Sequence, residues 1–401
     1  MLCIIVGIKE GEMKRNQKDL ILKDLEKKMV FLTGPRQVGK TWLAKEIAQN
    51  RQNTVYLNYD STEDRKIIKN EAWLNTTELL ILDELHKMPD WKNYIKGVFD
   101  TGPGSMRILV TGSARLEAFR QTGDSLAGRY FRHRLLPISP AEAISVGMQT
   151  DLERFMTRGG FPEPFLAEDS VDADRWRMQY IDGLIRTDIL DFEKVHDFKA
   201  IQMVLELLRS RVGSPVSYQS LSEDVGVSPN TVKKYIQIFE SLYIIFRITP
   251  FSKNIARSIL KEPKLYFFDT GLVAGGVGPR FENMVALCLL KHVYALVDYK
   301  GQPYSLNYLR TKDGMEVDFC IVNNNLPELM LEAKVSDPEP GRGMMYFRNR
   351  YHIPGMQIVL NLKREKNDKG IEVRDARNYL PLLLTIDHGF QGQRKRGTFR
   401  L

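Results

Sequence analysis

The chain has 401 residues, 43% hydrophobic and 27% charged, a globular composition that excludes wholesale disorder and a fibrous repeat. That length exceeds one ordinary core and predicts about two to four domains. Lys and Arg number 58 against 50 Asp and Glu, a net charge of +8; Arg394, Lys395, Arg396 and Arg400 in the basic tail (389–401) supply half of it, so a polyanionic partner is permitted but not demanded.

Cys3, Cys288 and Cys320 lie too far apart for a zinc or redox pair, and a chain this long needs no disulfide scaffold, so a reducing, cytoplasmic setting is expected. No apolar stretch reaches the roughly 18 residues of a membrane span. The opening M-L-C-I-I-V-G-I lacks a basic flank and runs into Lys9 and Glu10, unlike a secretory leader; residues 1–12, ahead of Met13, read as a dispensable extension.

In chain order, 14–28 reads as an amphipathic helix and M-V-F-L-T (29–33) as a strand buried on both faces. A Gly-rich turn and a helix to Asn50 follow, then strands at 55–59, 78–83 and 107–111. Strands alternating with helices predict a parallel α/β sheet in a first domain over 1–150. Residues 151–198 read as a helical lid, broken by R-G-G-F-P-E-P (158–164). In 199–275, helices over 199–211, over 218–225 and from Ser228 precede a hairpin of strands at 243–248 and 264–268, the order of a winged helix-turn-helix. Ser228 suits the N-cap and Pro229 the first helical position. Residues 276–388 read as a further α/β domain, with a helix at 282–296 and strands at 303–310, 315–322, 328–335 and 357–361.

Gly34-Pro35-Arg36-Gln37-Val38-Gly39-Lys40-Thr41 fits G-x-x-x-x-G-K-[ST] between a strand and a helix. Glycines let successive backbone N–H groups wrap a phosphate, and the following helix aims its positive end at the same oxygens. Lys40 would bridge the β- and γ-phosphates, and Thr41 would ligate magnesium. Asp83 and Glu84, after four apolar residues, would end a neighbouring strand: Asp83 to hold the Mg2+ shell, Glu84 to orient and activate the attacking water. Ser113 is the candidate γ-phosphate sensor. Arg115, Arg129, Arg132 and Arg134 are candidate arginine fingers, Arg129 in S-L-A-G-R foremost.

G-P-R-Q-V-G-K-T, D-E-L-H-K-M-P, T-G-S-A-R, S-L-A-G-R and R-G-G-F-P-E together resemble a large bacterial and archaeal family of AAA-type ATPases. The resemblance covers nearly the whole chain, including a C-terminal domain catalogued in that family as of unknown function. It implies an AAA-like P-loop core with strand order 5-1-4-3-2 that binds ATP. This chain departs from it at His86, where relatives often carry Gln.

The helix from Ser228 offers Asn230, Thr231, Lys233, Lys234 and Gln237 on one side, with Val232, Tyr235, Ile236 and Phe239 at core spacing. The polar set suits phosphates and base edges in a DNA major groove, and Lys253, Arg257 and Lys261 in the wing add charge. Glu223, Asp224 and Glu240 oppose a phosphate backbone, which leaves docking on the chain's own domains as the other reading.

Glu332 and Lys334 alternate on one strand and so share a face, and Asp318 lies on the strand before, which it is expected to end. Asp318 and Glu332 would share a Mg2+ ion while Lys334 polarises a water. This D…E-x-K pattern, with Glu282 as a helical acid, resembles restriction-endonuclease-like domains; the plainer reading of E-x-K is a surface ion-pair ladder.

The expectation is thus a magnesium-dependent ATPase acting on or with DNA, with a second copy of the chain as a further candidate partner. The alternative is an ATP-switched DNA-binding or protein-interaction regulator with an inactive nuclease-like domain.

Overall fold

The computed structural model describes residues 15–112, 126–148, 151–189, 197–252 and 262–383. It is a mixed α/β protein built on two sheets.

The first sheet contains β1 (Met29–Thr33), β2 (Thr54–Asn58), β3 (Leu79–Asp83), β4 (Arg107–Gly112) and β5 (Tyr130–Arg134) in the order β2-β3-β4-β1-β5, all parallel. Every residue of β1 and β3 is buried, as apolar runs flanked by helices should be. Strand alternation divides them between two cores. Val30, Leu32, Leu79 and Ile81 face one side, packing with Leu43 and Ile47 of the helix Lys40–Ala48 and Ile21 and Leu25 of the helix Lys18–Leu25. Met29, Phe31, Leu80 and Leu82 face the other, against Ile68 of Thr62–Asn70 and Trp91, Ile95 and Val98 of Trp91–Thr101. Each fully buried aliphatic side chain contributes roughly 1.5–3 kcal/mol of transfer free energy, so covering both faces stabilises the sheet strongly.

Strand β5 was not legible as a strand. Y-F-R-H-R carries two arginines, yet it pairs along all of β1 because Arg132 and Arg134 reach Asp298 on a distant helix. The chain then turns through Ser139 and Glu142, which form a capping box on the helix Pro140–Ser145. Helices Leu152–Arg158, Pro162–Leu166 and Ser170–Gly183 follow.

Helices Phe198–Arg209, Tyr218–Val225 and Pro229–Ser241 come next, the last capped by the Ser228 side chain accepting from Thr231 N. The hairpin of β6 (Ile245–Pro250) and β7 (Lys264–Phe267) follows. The second sheet contains this hairpin together with β8 (Tyr304–Arg310), β9 (Glu316–Asn323), β10 (Leu326–Lys334), β11 (Gly355–Val359), β12 (Lys366–Asp368) and β13 (Ile371–Asp375). The order is β12-β13-β11-β10-β9-β8-β6-β7, and Thr249 and Pro250 pair with Asn307 and Tyr308 where β6 meets β8. The hydrogen-bonded sheet therefore runs straight across the expected boundary at 275/276.

Helix Val277–Lys300, longer than the expected 282–296, lies between the two sheets. Asp298 pairs with Arg134 at 2.7 Å and Arg132 at 3.3 Å, and the Arg134 guanidinium lies 3.4 Å from the Tyr294 ring centre. One turn and more back, Lys291 donates to Pro137 O at 2.8 Å and pairs with Glu142, which also takes Arg15 at 3.2 Å. Arg15, Glu142 and Lys291 are all buried, so this charged knot pins the first sheet's exit to the second module.

Candidate nucleotide site and the C-terminal carboxylate cluster

β1 ends at Thr33, and the loop Gly34–Thr41 turns directly into the helix that starts at Lys40. Gly34 (φ 151°) and Gly39 (φ 97°) occupy the region that only glycine enters freely. At Gly34 a β-carbon would also overlap Leu135 O, so the loop lies flat on the chain leaving β5. Val38 is buried beneath it, while Arg36 and Gln37 remain accessible. The Arg36 carbonyl accepts from Tyr180 OH at 3.4 Å, and Pro162 approaches Gly39. Thus R-G-G-F-P-E-P and the helix after it form one wall of the loop.

Lys40 is buried and folds back on the loop, donating to Gly34 O at 3.1 Å and Pro35 O at 2.5 Å. Burial pushes its ammonium down to about 8, against the opposing pull of Glu84 and Asp83. Thr41 donates to Asp83 Oδ2 at 2.8 Å. That link joins the first turn of the phosphate-loop helix to the end of β3, past the intervening β4. Tyr56 also donates to Asp83 Oδ2, at 2.5 Å, and Thr111 donates to Oδ1. Three hydroxyls therefore converge on one buried carboxylate, a set of hard oxygens suited to a magnesium shell. Tyr56 and Thr111 were missed from sequence: Thr111 nears the end of β4 beside Asp83, whereas Tyr56 reaches it from the middle of β2.

Glu84 follows at φ 58°, a left-handed conformation costly for a non-glycine residue. It turns the side chain toward Lys87, 3.4 Å away, and Lys87 in turn bonds Asp60 at 2.6 Å. His86, at the departure from the family pattern, is buried with Nε2 3.8 Å from Glu84.

Ser113 and Arg115 lie outside the described residues, as do Lys253, Arg257 and Lys261. Arg129 does not join the loop in its own chain. It precedes β5, beside β1 but at the N-terminal end of these parallel strands and so away from the loop; its carbonyl accepts from Met29 N and its guanidinium pairs with Asp100 at 2.9 Å. Arg132 and Arg134 are engaged by Asp298.

On the helix Pro229–Ser241, Asn230, Lys233, Lys234 and Gln237 are exposed and Thr231 half-buried, whereas Val232, Tyr235, Ile236 and Phe239 are buried. Glu240 turns aside to Arg247 at 3.2 Å, and Asp224 to Arg211 at 2.5 Å, so two of the three opposing acids are neutralised within the module.

The C-terminal carboxylates assemble differently from the expected magnesium pair. Asp318 sits inside β9 rather than at its end, and Glu282, Glu316 and Asp318 gather around Lys264. Its Nζ lies 2.8 Å from Glu316, 3.2 Å from Asp318 and 3.8 Å from Glu282. Glu332 pairs instead with Lys334 at 2.8 Å. Burial, then the charge of Asp318, pushes Glu282 up to about 7. Burial alone would lower Lys264, but Asp318, Glu282 and Glu316 outweigh it and hold the ammonium at about 12. Lys264 was missed from sequence, because a lysine opening K-L-Y-F-F reads as an exposed strand end.

Residues 26–144 match the family described as "AAA domain", and residues 149–278 match a "Domain of unknown function (DUF8612)". An uncharacterized protein of Mycobacterium tuberculosis is 25% identical over 329 residues, covering 79% of this chain and 72% of its own length. Another, of Methanocaldococcus jannaschii, is 23% identical over 344 residues, covering 77% of this chain and 75% of that one. Among solved structures, a Walker-type ATPase of Pyrococcus abyssi aligns with a TM-score of 0.45 at 12% identity, over 65% of this chain and 95% of that one. RuvB of Thermotoga maritima aligns with a TM-score of 0.30 at 16% identity, over 58% and 88%. The match over residues 26–144 supports an AAA-type P-loop ATPase domain there.

Proposed function

We propose that this chain is a magnesium-dependent ATPase whose hydrolysis cycle moves a nucleic-acid-binding winged-helix module. The observation that carries the reading is the 2.8 Å bond from Thr41 to Asp83, formed beside a glycine-framed loop that holds a buried lysine. The backbone amides of Gly34–Thr41 and the positive end of the helix Lys40–Ala48 would hold the triphosphate. Lys40 would leave the Gly34 and Pro35 carbonyls for phosphate oxygens, a stronger, charge-assisted pairing. Thr41 and Asp83 would hold Mg2+, which when bound neutralises charge on the phosphates. Glu84 would orient and deprotonate the attacking water, with Lys87 and Asp60 setting its side-chain direction.

Ser113 as phosphate sensor rests on the resemblance alone. Arg129, remote from its own loop, could serve only a neighbouring copy, so an arginine finger there goes with a homo-oligomer. Turnover per chain that is flat with protein concentration, and unchanged in Arg129→Ala, would remove that role.

The exposed Asn230, Lys233, Lys234 and Gln237 support DNA as the partner, since two facing acids are already paired. Among the described residues no helix is long and apolar enough to cross a membrane.

Calorimetry with ATP and Mg2+ tests the site. Wild type should bind and turn over ATP, Lys40→Ala should not bind, and Glu84→Gln should bind but hydrolyse at least about 100-fold more slowly. Unchanged turnover in Lys40→Ala would overturn the reading.

A further inference from the structure

We infer that the C-terminal carboxylate cluster is a cation site whose cation is the chain's own Lys264, so that the domain takes no divalent metal there and cuts no phosphodiester bond. This stands independently of the nucleotide site.

The residues do not fit the ion that their sequence pattern implies. A divalent cation in a D…E-x-K centre needs free carboxylate oxygens from Asp318 and Glu332 converging on one point. Here both oxygens of Asp318 are taken within the chain, one of them by a buried ammonium. Asp318 gives Oδ1 to Lys264 at 3.2 Å and Oδ2 to Ala333 N at 3.2 Å. Glu282 gives Oε1 to Tyr266 OH at 2.8 Å while facing Lys264. Glu316 divides itself between Lys264 at 2.8 Å and Arg310 at 3.1 Å. Glu332 turns Oε1 to Lys334 at 2.8 Å, and its buried Oε2 is left without a hydrogen-bond partner. Among the described residues, no three His, Cys, Asp or Glu side chains are arranged to hold a metal.

The ammonium occupies the middle of this arrangement and is not free to leave it. Lys264 is 0% exposed. Its backbone pairs with Ile248 across the hairpin and bridges Pro215 on the other side, while Val216 N donates to Pro263 O at 2.8 Å. The Tyr308 ring, its centre 5.5 Å from Nζ, closes another approach. Swinging out would strand three partly buried carboxylates without a counter-charge, which is strongly unfavourable. A divalent ion entering beside the ammonium would meet like charge at close range in a medium of low dielectric constant.

The consequence is chemical. A single positive charge with three N–H donors satisfies the carboxylates but offers no coordination position for water, and cannot acidify one as a divalent ion does. Because Lys264 comes from β7, Glu316 and Asp318 from β9 and Glu282 from the helix Val277–Lys300, the centre ties the hairpin to the C-terminal sheet.

The test uses the full chain without nucleotide. Wild-type protein is treated with Fe2+ and ascorbate, which cleave backbone beside a bound iron. No scission near residues 282, 316–318 or 332 is expected, and scission there overturns the inference. In parallel, Lys264→Met is titrated with Mn2+ in an Asp83→Asn background, monitored by electron paramagnetic resonance. It should gain one Mn2+ site absent from the Asp83→Asn parent and lost again on adding Asp318→Asn. A folded Lys264→Met protein that gains none overturns the inference; should that variant fail to fold, the wild-type scission pattern still decides. Labelled single- and double-stranded DNA and RNA should remain intact with Mg2+ or Mn2+. Cutting by wild type that Asp318→Asn abolishes overturns it equally.

Discussion

Tyr180 and Arg177 stand one turn apart on the helix Ser170–Gly183, and between them they touch both sheets' surroundings. Tyr180 donates to Arg36 O in the phosphate loop, while Arg177 Nε pairs at 2.7 Å with Asp269, which follows β7. Arg177 also donates to the carbonyls of Thr157 and Arg158, so it clamps the glycine pair beside Asp269. Arg177→Ala leaves the buried Asp269 carboxylate with only the Gly271 N–H and no counter-charge, and should cost roughly 3–5 kcal/mol. Denaturant unfolding measures this. Arg177→Lys should recover little, because one ammonium cannot replace the guanidinium fork that holds Asp269 and two carbonyls.

Asp83 receives three hydroxyls, so Asp83→Asn tests structure and chemistry separately. It keeps the shape but loses the negative charge. Stability should fall by about 1–3 kcal/mol as donors lose their charged acceptor. ATP turnover should fall at least about 100-fold and lose its dependence on magnesium, measured by phosphate release across a Mg2+ titration.

Lys40 makes nucleotide binding depend on pH with a definite sign. Free protein loses this proton near pH 8, and a bound triphosphate would raise that value by favouring the charged form. Below pH 8 the affinity should be flat with respect to this group. Above it, binding must take up a proton, and affinity should fall toward tenfold per pH unit. Calorimetry at pH 7 and pH 9 in buffers of different ionisation heat reads the uptake: near zero at the first, approaching one proton at the second.

The parts of the fold that the sequence spelled out are those whose cause is local. β1 and β3 are apolar runs bounded by a glycine turn and an acidic pair, and they appear within a residue of their expected limits. Ser228 and Pro229 mark a helix start through the chemistry of its first turn. What stayed hidden depends on partners far along the chain. β5 is a strand despite its arginines because Asp298 neutralises them. Lys264 is buried because Glu316 and Asp318 come to it from another strand. β12 and β13 are short, half-polar strands, β13 set by its pairing with β11 and β12 by its pairing with β13. In the nucleotide site the loop and Asp83 were readable from spacing, whereas the contributions of Tyr56, Thr111 and Lys87 follow from sheet order.

Lys233 and Lys234 give a graded test of nucleic-acid contact. If both approach phosphates, each Ala substitution should weaken DNA binding about equally for all sequences and reduce the slope of log affinity against log salt by about 1. Fluorescence anisotropy across a salt series measures it. Slopes unchanged in the double variant would leave the exposed face of that helix to a protein partner.

The pairing of Thr249 and Pro250 with Asn307 and Tyr308 also bears on inheritance. A fusion gene that borrowed the three helices and hairpin alone would carry away a bare strand edge, and leave another on β8 in the donor. Both remnants would be prone to stick to other chains. Severing the chain between the hairpin and β8 should therefore yield two self-associating pieces rather than two independent domains.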